Sequence, residues 1–165
     1  MRIISLIASA TEIICSLGQK NNLVGISHEC DYPKDIQNLP VCSLPRFDTS
    51  GSSLEVDRDV KSLIQSALSV YRINEDALKE LKPDIILVVS YGQIIPKNLL
   101  NIPKHGFLNV HASLLPKWRG AAPIQRSIMN LDSETGISIM KIAEKLDSGP
   151  VSKIYKVKLD RNQNT

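Results

Sequence analysis

The chain has 165 residues, 42% of them hydrophobic and 22% charged, with a formal net charge of +3 and a mean hydropathy of −0.07. That length implies one domain able to bury a real core, and the composition is that of an ordinary soluble α/β protein. No run of about 18 apolar residues occurs, so a membrane-spanning helix is excluded. Cys15, Cys30 and Cys42 form no Cys-x-x-Cys pair and read as the reduced thiols of a cytoplasmic protein, serving as core filler. Charge is uneven: residues 1–87 carry a net −3 and residues 88–165 a net +6. A basic second half suits contact with a nucleic acid, and an ordinary solvated surface accounts for it equally well.

The first elements read as a βαβ unit. Met1-Arg2, a short apolar run and Ala8-Ser9-Ala10 imitate a secretory signal peptide, but the run is too short and Glu12 follows at once. A buried strand over 3–7 turning into a helix over 11–17 fits better, with Ser9 or Ala10-Thr11 as the N-cap region and Gly18 as the stop. Residues 23–26 make a second strand, reached by a right-handed crossover. His28-Glu29-Cys30-Asp31 gathers metal-ligating types, yet four adjacent side chains cannot all face one ion and no spaced partner cluster exists. That segment reads as a turn. A Gly/Ser/Thr-rich loop covers 47–53, and helical spacing of Leu54, Val60, Leu63, Ile64 and Leu68 predicts a helix over 54–70. Another helix begins at 73–76 with Asn74 as N-cap and ends near Lys82-Pro83.

Ser5-Leu6-Ile7-Ala8-Ser9-Ala10-Thr11-Glu12-Ile13 and Ser27-His28-Glu29-Cys30-Asp31-Tyr32-Pro33 resemble the opening of cobalamin-type periplasmic substrate-binding proteins. The similarity continues through Leu54-Glu55-Val56-Asp57, Tyr71-Arg72-Ile73 and Leu78-Lys79-Glu80-Leu81-Lys82-Pro83-Asp84, covering roughly residues 1–87. Ala8 stands where that family usually has proline. This resemblance implies a corrinoid-binding module as one reading of the chain.

Ile85-Ile86-Leu87-Val88-Val89 is a continuous apolar run, as in a central parallel strand buried on both faces. Farther on, residues 107–111 predict a strand, and residues two apart share a face, so Asn109 and His111 project together. An amide and an imidazole side by side at a strand end can hold an oxyanion and handle a proton. The run breaks at Pro116 and Gly120 and restarts as a helix over 122–130, with Ile124 and Ile128 on its inner face. Residues 136–142 alternate as a strand, with apolar Ile137 and Ile139. A loop carries Asp147, and residues 155–159 form an edge or hairpin strand.

Asn109-Val110-His111-Ala112-Ser113-Leu114-Leu115-Pro116 resembles the catalytic segment of the folate-dependent formyltransferases, and Trp118-Arg119-Gly120-Ala121-Ala122-Pro123-Ile124 narrows the likeness to the branch acting on methionyl-tRNA. The resemblance covers roughly residues 85–160, including Tyr91-Gly92-Gln93-Ile94-Ile95-Pro96 and Leu146-Asp147-Ser148-Gly149-Pro150. It implies formyl transfer from 10-formyltetrahydrofolate to initiator methionyl-tRNA, without metal or membrane. Asn109, His111 and Asp147 would be catalytic, and Tyr91, Gly92, Ser113, Leu114, Leu115, Pro116, Arg119 and Gly120 would bind substrate. Asn109 and His111 would donate to the oxyanion, while Asp147 would pair with a charged imidazole and order the water that relays the amine proton.

Two halves are therefore expected, 1–87 like the binding proteins and 88–165 like a truncated formyltransferase, joined in one sheet. The resulting architecture is a Rossmann-like, three-layer α/β fold with a mainly parallel central sheet. No Gly-x-Gly-x-x-Gly occurs, so no dinucleotide is inferred. A fusion lacking activity is the remaining alternative.

Overall fold

The structure, a computed structural model, describes residues 1–48, 50–65, 71–89, 91 and 94–160. Eight strands form one sheet: β1 (Ile3–Ser5), β2 (Leu23–Ser27), β3 (Val41–Pro45), β4 (Tyr71–Ile73), β5 (Ile85–Val89), β6 (Phe107–His111), β7 (Glu134–Lys141) and β8 (Val151–Lys158). Among the described residues five α-helices join them: α1 (Ala8–Ser16), α2 (Ser53–Gln65), α3 (Glu75–Leu81), α4 (Lys97–Leu100) and α5 (Pro123–Met129). The spatial order is β4-β3-β2-β1-β5-β6-β7-β8. β1 pairs parallel with β2 and β5, β2 with β3, and β5 with β6, whereas β3–β4, β6–β7 and β7–β8 are antiparallel. The sheet is mostly parallel, as its apolar central strands require.

Strand alternation divides the core between two faces. Ile3 packs with Ile14 of α1, Leu23, Ile26 and Ile36 on one side. Ile4 packs with Leu78 of α3, Leu99 of α4, Ile86, Val88 and Phe107 on the other. Helices thus cover both faces. Ile4, Leu78, Ile86 and Phe107 are fully buried, and burying each such side chain stabilises the fold by about 2 kcal/mol. The strand order reverses between β1 and β5, and in open α/β sheets the carboxyl ends beside such a reversal form a crevice.

Local side-chain chemistry sets the starts of α2 and α3. Asn74 caps α3 by accepting the Ala77 N–H at 3.2 Å. Ser52 and Glu55 form a reciprocal capping box ahead of α2, with Ser52 N–H donating to the Glu55 carboxylate at 2.8 Å and Glu55 N–H to the Ser52 hydroxyl at 3.4 Å. Helix α1 departs from expectation: it starts at Ala8, and its N-cap Ile7 offers no side-chain bond. Ser9 and Thr11 lie inside the helix, so neither caps it. Gly18 follows α1 with φ +71° and closes it by donating to Cys15 O at 2.9 Å.

Other differences have physical reasons. Strands β3 and β4 and helix α4 were not anticipated; at three to five residues, each is too short for periodicity to report. In α2, Leu54 is 80% exposed, so the apolar spacing does not build a deep core there. Residues 66–70 of the expected helix lie outside the described residues. In α5 the buried residue is Ser127, whose hydroxyl donates to Ile124 O at 2.8 Å, and Ile124 is 44% exposed. The core-facing phase of β7 carries Ser138 and Met140, leaving Ile137 outward. Strand β8 is an exposed edge longer than expected.

Candidate active site

Phe107, Asn109 and His111 occupy alternate, buried positions of β6. Phe107 anchors the strand in the core, while Asn109 and His111 lie nearer its carboxyl end at 6% and 4% exposure. Asn109 is registered between Val88 of β5 and Met140 of β7, which fixes its height in the sheet.

His111 Nε2 lies 2.9 Å from the Trp118 carbonyl oxygen. A carbonyl can only accept, so Nε2 carries a hydrogen and donates it. Nδ1 is left 3.7 Å from Asp147 Oδ2. The same Asp147 oxygen accepts the Gly120 N–H at 2.8 Å, tying the loop after β6 to the loop between β7 and β8.

The first of these loops is held by hydroxyl bonds to its backbone. Ser113 donates to Lys117 O at 2.6 Å, and Ser138 of β7 donates to Ser113 O at 2.6 Å while accepting the Leu115 N–H at 3.1 Å. Trp118, Ala122 and Asp147 adopt left-handed backbone conformations with φ of +57°, +55° and +43°. Non-glycine residues in that region cost about 1–3 kcal/mol each and gather where surrounding contacts over-determine them, commonly at functional sites. Gly120, at φ +85°, meets the same demand without that strain.

These loops enclose a cavity of about 360 Å³ at the carboxyl ends of β5 and β6. Asn109, His111 and Asp147 supply its polar groups, and Tyr91, Ile94, Ala122 and Leu146 supply apolar wall. Among the described residues the Asn109 carboxamide oxygen is buried without a hydrogen-bond partner. An unpaired buried acceptor of this kind costs about 1–3 kcal/mol, and its place on the cavity wall fits a hydrogen-bond donor on a ligand. Burial, followed by the nearby Glu29 and Tyr71, pushes the Tyr91 phenol up to about 12, so this wall is uncharged at neutral pH.

Five of the sequence-derived site residues line this cavity: Tyr91, Asn109, His111, Gly120 and Asp147. Ser113, Leu114, Leu115, Pro116 and Arg119 are not among the residues that line it. Ser113 is fully buried and committed to Lys117 O, so that stretch is the support beneath the site. Gly92 lies outside the described residues. Ile94, Ala121, Ala122, Pro123 and Leu146 line the cavity unforeseen, and so does Ser138 act unforeseen beneath it. The polar Ser138 in an otherwise apolar buried phase was the one available signal.

The side chains of His28-Glu29-Cys30-Asp31 diverge. His28 Nδ1 lies 3.0 Å from the Ser43 hydroxyl, Glu29 accepts from Tyr71 at 2.7 Å, and Cys30 lies 3.0 Å from the Thr11 hydroxyl. Among the described residues no group of three or more His, Cys, Asp or Glu could hold a metal ion. Cys15, Cys30 and Cys42 are free thiols, and no described helix is long and apolar enough to cross a membrane.

The family profile described as "Formyl transferase" matches residues 10–165. The chain is 57% identical over 155 residues to a methionyl-tRNA formyltransferase of Pelagibacter ubique, covering 94% of this chain and 48% of that protein. It is 58% identical over 136 residues to the protein of the same name from Dictyoglomus thermophilum, covering 82% of this chain and 42% of the relative. The chain thus spans about half the length of the curated relatives it matches. In fold it is similar to a phosphoribosylglycinamide formyltransferase from Streptococcus pneumoniae, with a TM-score of 0.67 at 18% identity over 99% of this chain and 85% of that one.

The expected binding-protein origin of residues 1–87 is not supported, because the formyl transferase match runs through that half from residue 10. With it goes the corrinoid-binding reading. The match takes in every strand from β2 to β8 and the residues that line the cavity, and this chain is a member of the formyl transferase family.

Proposed function

We propose that the chain transfers a formyl group from 10-formyltetrahydrofolate to the amino group of initiator methionyl-tRNA. The observation that carries this reading is the meeting of Asn109, His111 and Asp147 in one cavity, with the His111 imidazole and the Asp147 carboxylate 3.7 Å apart. The names of the relatives supply the acceptor and the family supplies the transferred group.

The residues present fit a flat, polar-edged donor such as a folate ring. The wall formed by Tyr91, Ile94 and Leu146 takes an apolar face, and the Asn109 carboxamide oxygen, unpaired among the described residues, can accept from a donor N–H on the ligand's edge. Transfer forms a C–N bond from the acceptor amine to the formyl carbon and breaks the bond from that carbon to the donor nitrogen. Between the two, the formyl oxygen carries negative charge. Asn109 donates an amide N–H to that oxygen, and a donor of this kind is worth about 100- to 1000-fold in rate.

Because Nε2 of His111 is engaged by Trp118, Nδ1 is the atom that holds or gives up the mobile proton. Asp147 stabilises the protonated ring and orders water between it and the amine. The proton lost by the attacking amine is returned to the departing donor nitrogen. Arg119, exposed beside the cavity loop, is suited to an acceptor phosphate. Both substrates belong to translation initiation, which is the ground for placing the protein in the cytoplasm.

The test is formyl transfer from 10-formyltetrahydrofolate to methionyl-tRNA, with His111→Ala beside the parent chain. The parent is expected to formylate and the variant to lose at least about 100-fold in kcat. A parent chain that neither transfers nor binds the folate would end the proposal.

A further inference from the structure

Outside the cavity, in the turn between α5 and β7, the side chain of Asp132 is only 5% exposed and meets three donors at once. Its Oδ1 accepts from Lys117 Nζ at 2.8 Å and Asn130 Nδ2 at 2.7 Å, and its Oδ2 accepts from Trp118 Nε1 at 2.7 Å. The same three donors hold the carboxyl down at about 2, so it is ionised throughout the working range. The carboxylate is itself fixed from below: Leu131 takes a left-handed conformation at φ +55°, and the Asp132 N–H donates to Ser127 O at 3.0 Å.

Trp118 is the residue whose carbonyl accepts from His111 Nε2. Its backbone is left-handed at φ +57°, a conformation that must be held from outside. The indole bond to Asp132 holds it. With the indole pinned on one side and the Gly120 N–H held by Asp147 on the other, the backbone around Trp118 is restrained at both ends, and the direction of its carbonyl with it. That carbonyl then decides which ring nitrogen of His111 bears the hydrogen, because a histidine tautomer is set by the bond its other nitrogen makes.

We propose that Asp132 is a positioning residue for His111, acting through Trp118 to hold the imidazole in its Nε2–H form with Nδ1 turned toward Asp147. Asp132 touches no reacting atom. Its consequence for rate rests on the formyl-transfer reading above; its consequence for the tautomer does not.

Asp132→Asn is the informative substitution. It keeps the shape but leaves one acceptor oxygen for three donors, and the new amide N–H₂ must face one of them. Trp118→Phe removes the indole N–H and keeps an aromatic ring and the main-chain carbonyl, so it serves where the first variant fails to fold. Two measurements are made on the full chain: the protonated nitrogen of neutral His111, by two-bond ¹H–¹⁵N correlation spectra, and the kcat and KM for formyl transfer.

The parent is expected to show Nε2–H alone, and both variants a mixture of tautomers. In the variants kcat should fall by up to about 100-fold, as for a misplaced catalytic group, with KM for the formyl donor changing far less. A parent His111 protonated on Nδ1 would overturn the proposal. So would variants that keep the parent's tautomer, or that lose it with kcat unchanged. A tautomer change in a chain that transfers no formyl group would uphold the positioning role while sinking the formyl-transfer reading.

Discussion

Asp147 follows His111 by 36 residues, yet its Oδ2 lies 3.7 Å from His111 Nδ1 while accepting the Gly120 N–H at 2.8 Å. One carboxylate oxygen therefore serves the imidazole and ties two loops together. Asp147→Asn separates these roles, since an amide oxygen still accepts from Gly120 but carries no charge. We expect kcat to fall by about 100-fold or more with folate affinity largely kept. Steady-state kinetics beside a folate-binding titration would check this, and an unchanged kcat would remove Asp147 from the chemistry.

Asn109 contributes an unmet hydrogen bond to the folded protein. Replacing it by leucine, of similar size, removes the unpaired oxygen from a site 6% exposed. Asn109→Leu should therefore be more stable than the parent by about 1–2 kcal/mol, while transfer drops by about 100- to 1000-fold. Thermal unfolding should show a rise of a few degrees, at about 2–4 °C per kcal/mol. A less stable variant would mean that the amide has a structural partner after all.

Acid should expose the Asp132 clamp. An unfolded aspartate titrates near about 3.9, whereas in the fold Lys117, Trp118 and Asn130 hold Asp132 at about 2. Because the folded value is the lower one, this contribution to stability is present above about pH 4 and is lost as the pH falls toward about 2. Unfolding of the parent and Asp132→Asn across this window should show the parent's advantage shrinking with acid. A gap independent of pH would contradict the ionised clamp.

Gly149 cannot accept a side chain without moving the loop that carries Asp147. A Cβ there would stand 1.8 Å from the Lys141 carbonyl oxygen, a main-chain atom of β7. Gly149→Ala should cost about 1–3 kcal/mol and lower kcat as well, because Asp147 lies two residues away. Calorimetry and kinetics together test this, and a loss of stability without any loss of rate would show that the loop yields only at its far end.

Burial pushes the Cys42 thiol up to about 11, whereas Cys15 is only partly buried. A thiol-specific reagent at neutral pH should modify Cys15 first and Cys42 only after unfolding, because the thiolate is the reactive form. Mass mapping of a time course would settle the order.

Much of the site was legible in order along the chain. Asn109 and His111 share a strand face by geometry alone, the apolar run of β5 identified a central strand, and Asn74 announced its own cap. Local rules of period two, of helix capping and of buried parallel strands depend on neighbours in sequence, so they can be read there. The resemblance of residues 109–124 to the formyltransferases supplied the chemistry; that of residues 1–87 to a binding protein misled, because shared βαβ patterns recur across α/β folds and do not fix ancestry.

Tertiary structure decided what depends on distance across the chain. It turned Ser113 and its neighbours into support by bringing Ser138 beneath them, and it showed that Ile124 faces outward. It joined Asp147 to His111 and Asp132 to Trp118, pairs that no spacing rule relates. The physical reason is that strand and helix periodicities choose faces, whereas loop paths and sheet order choose which faces meet. Only those meetings close a cavity, leave the Asn109 oxygen unpaired and turn one nitrogen of His111 toward a carboxylate.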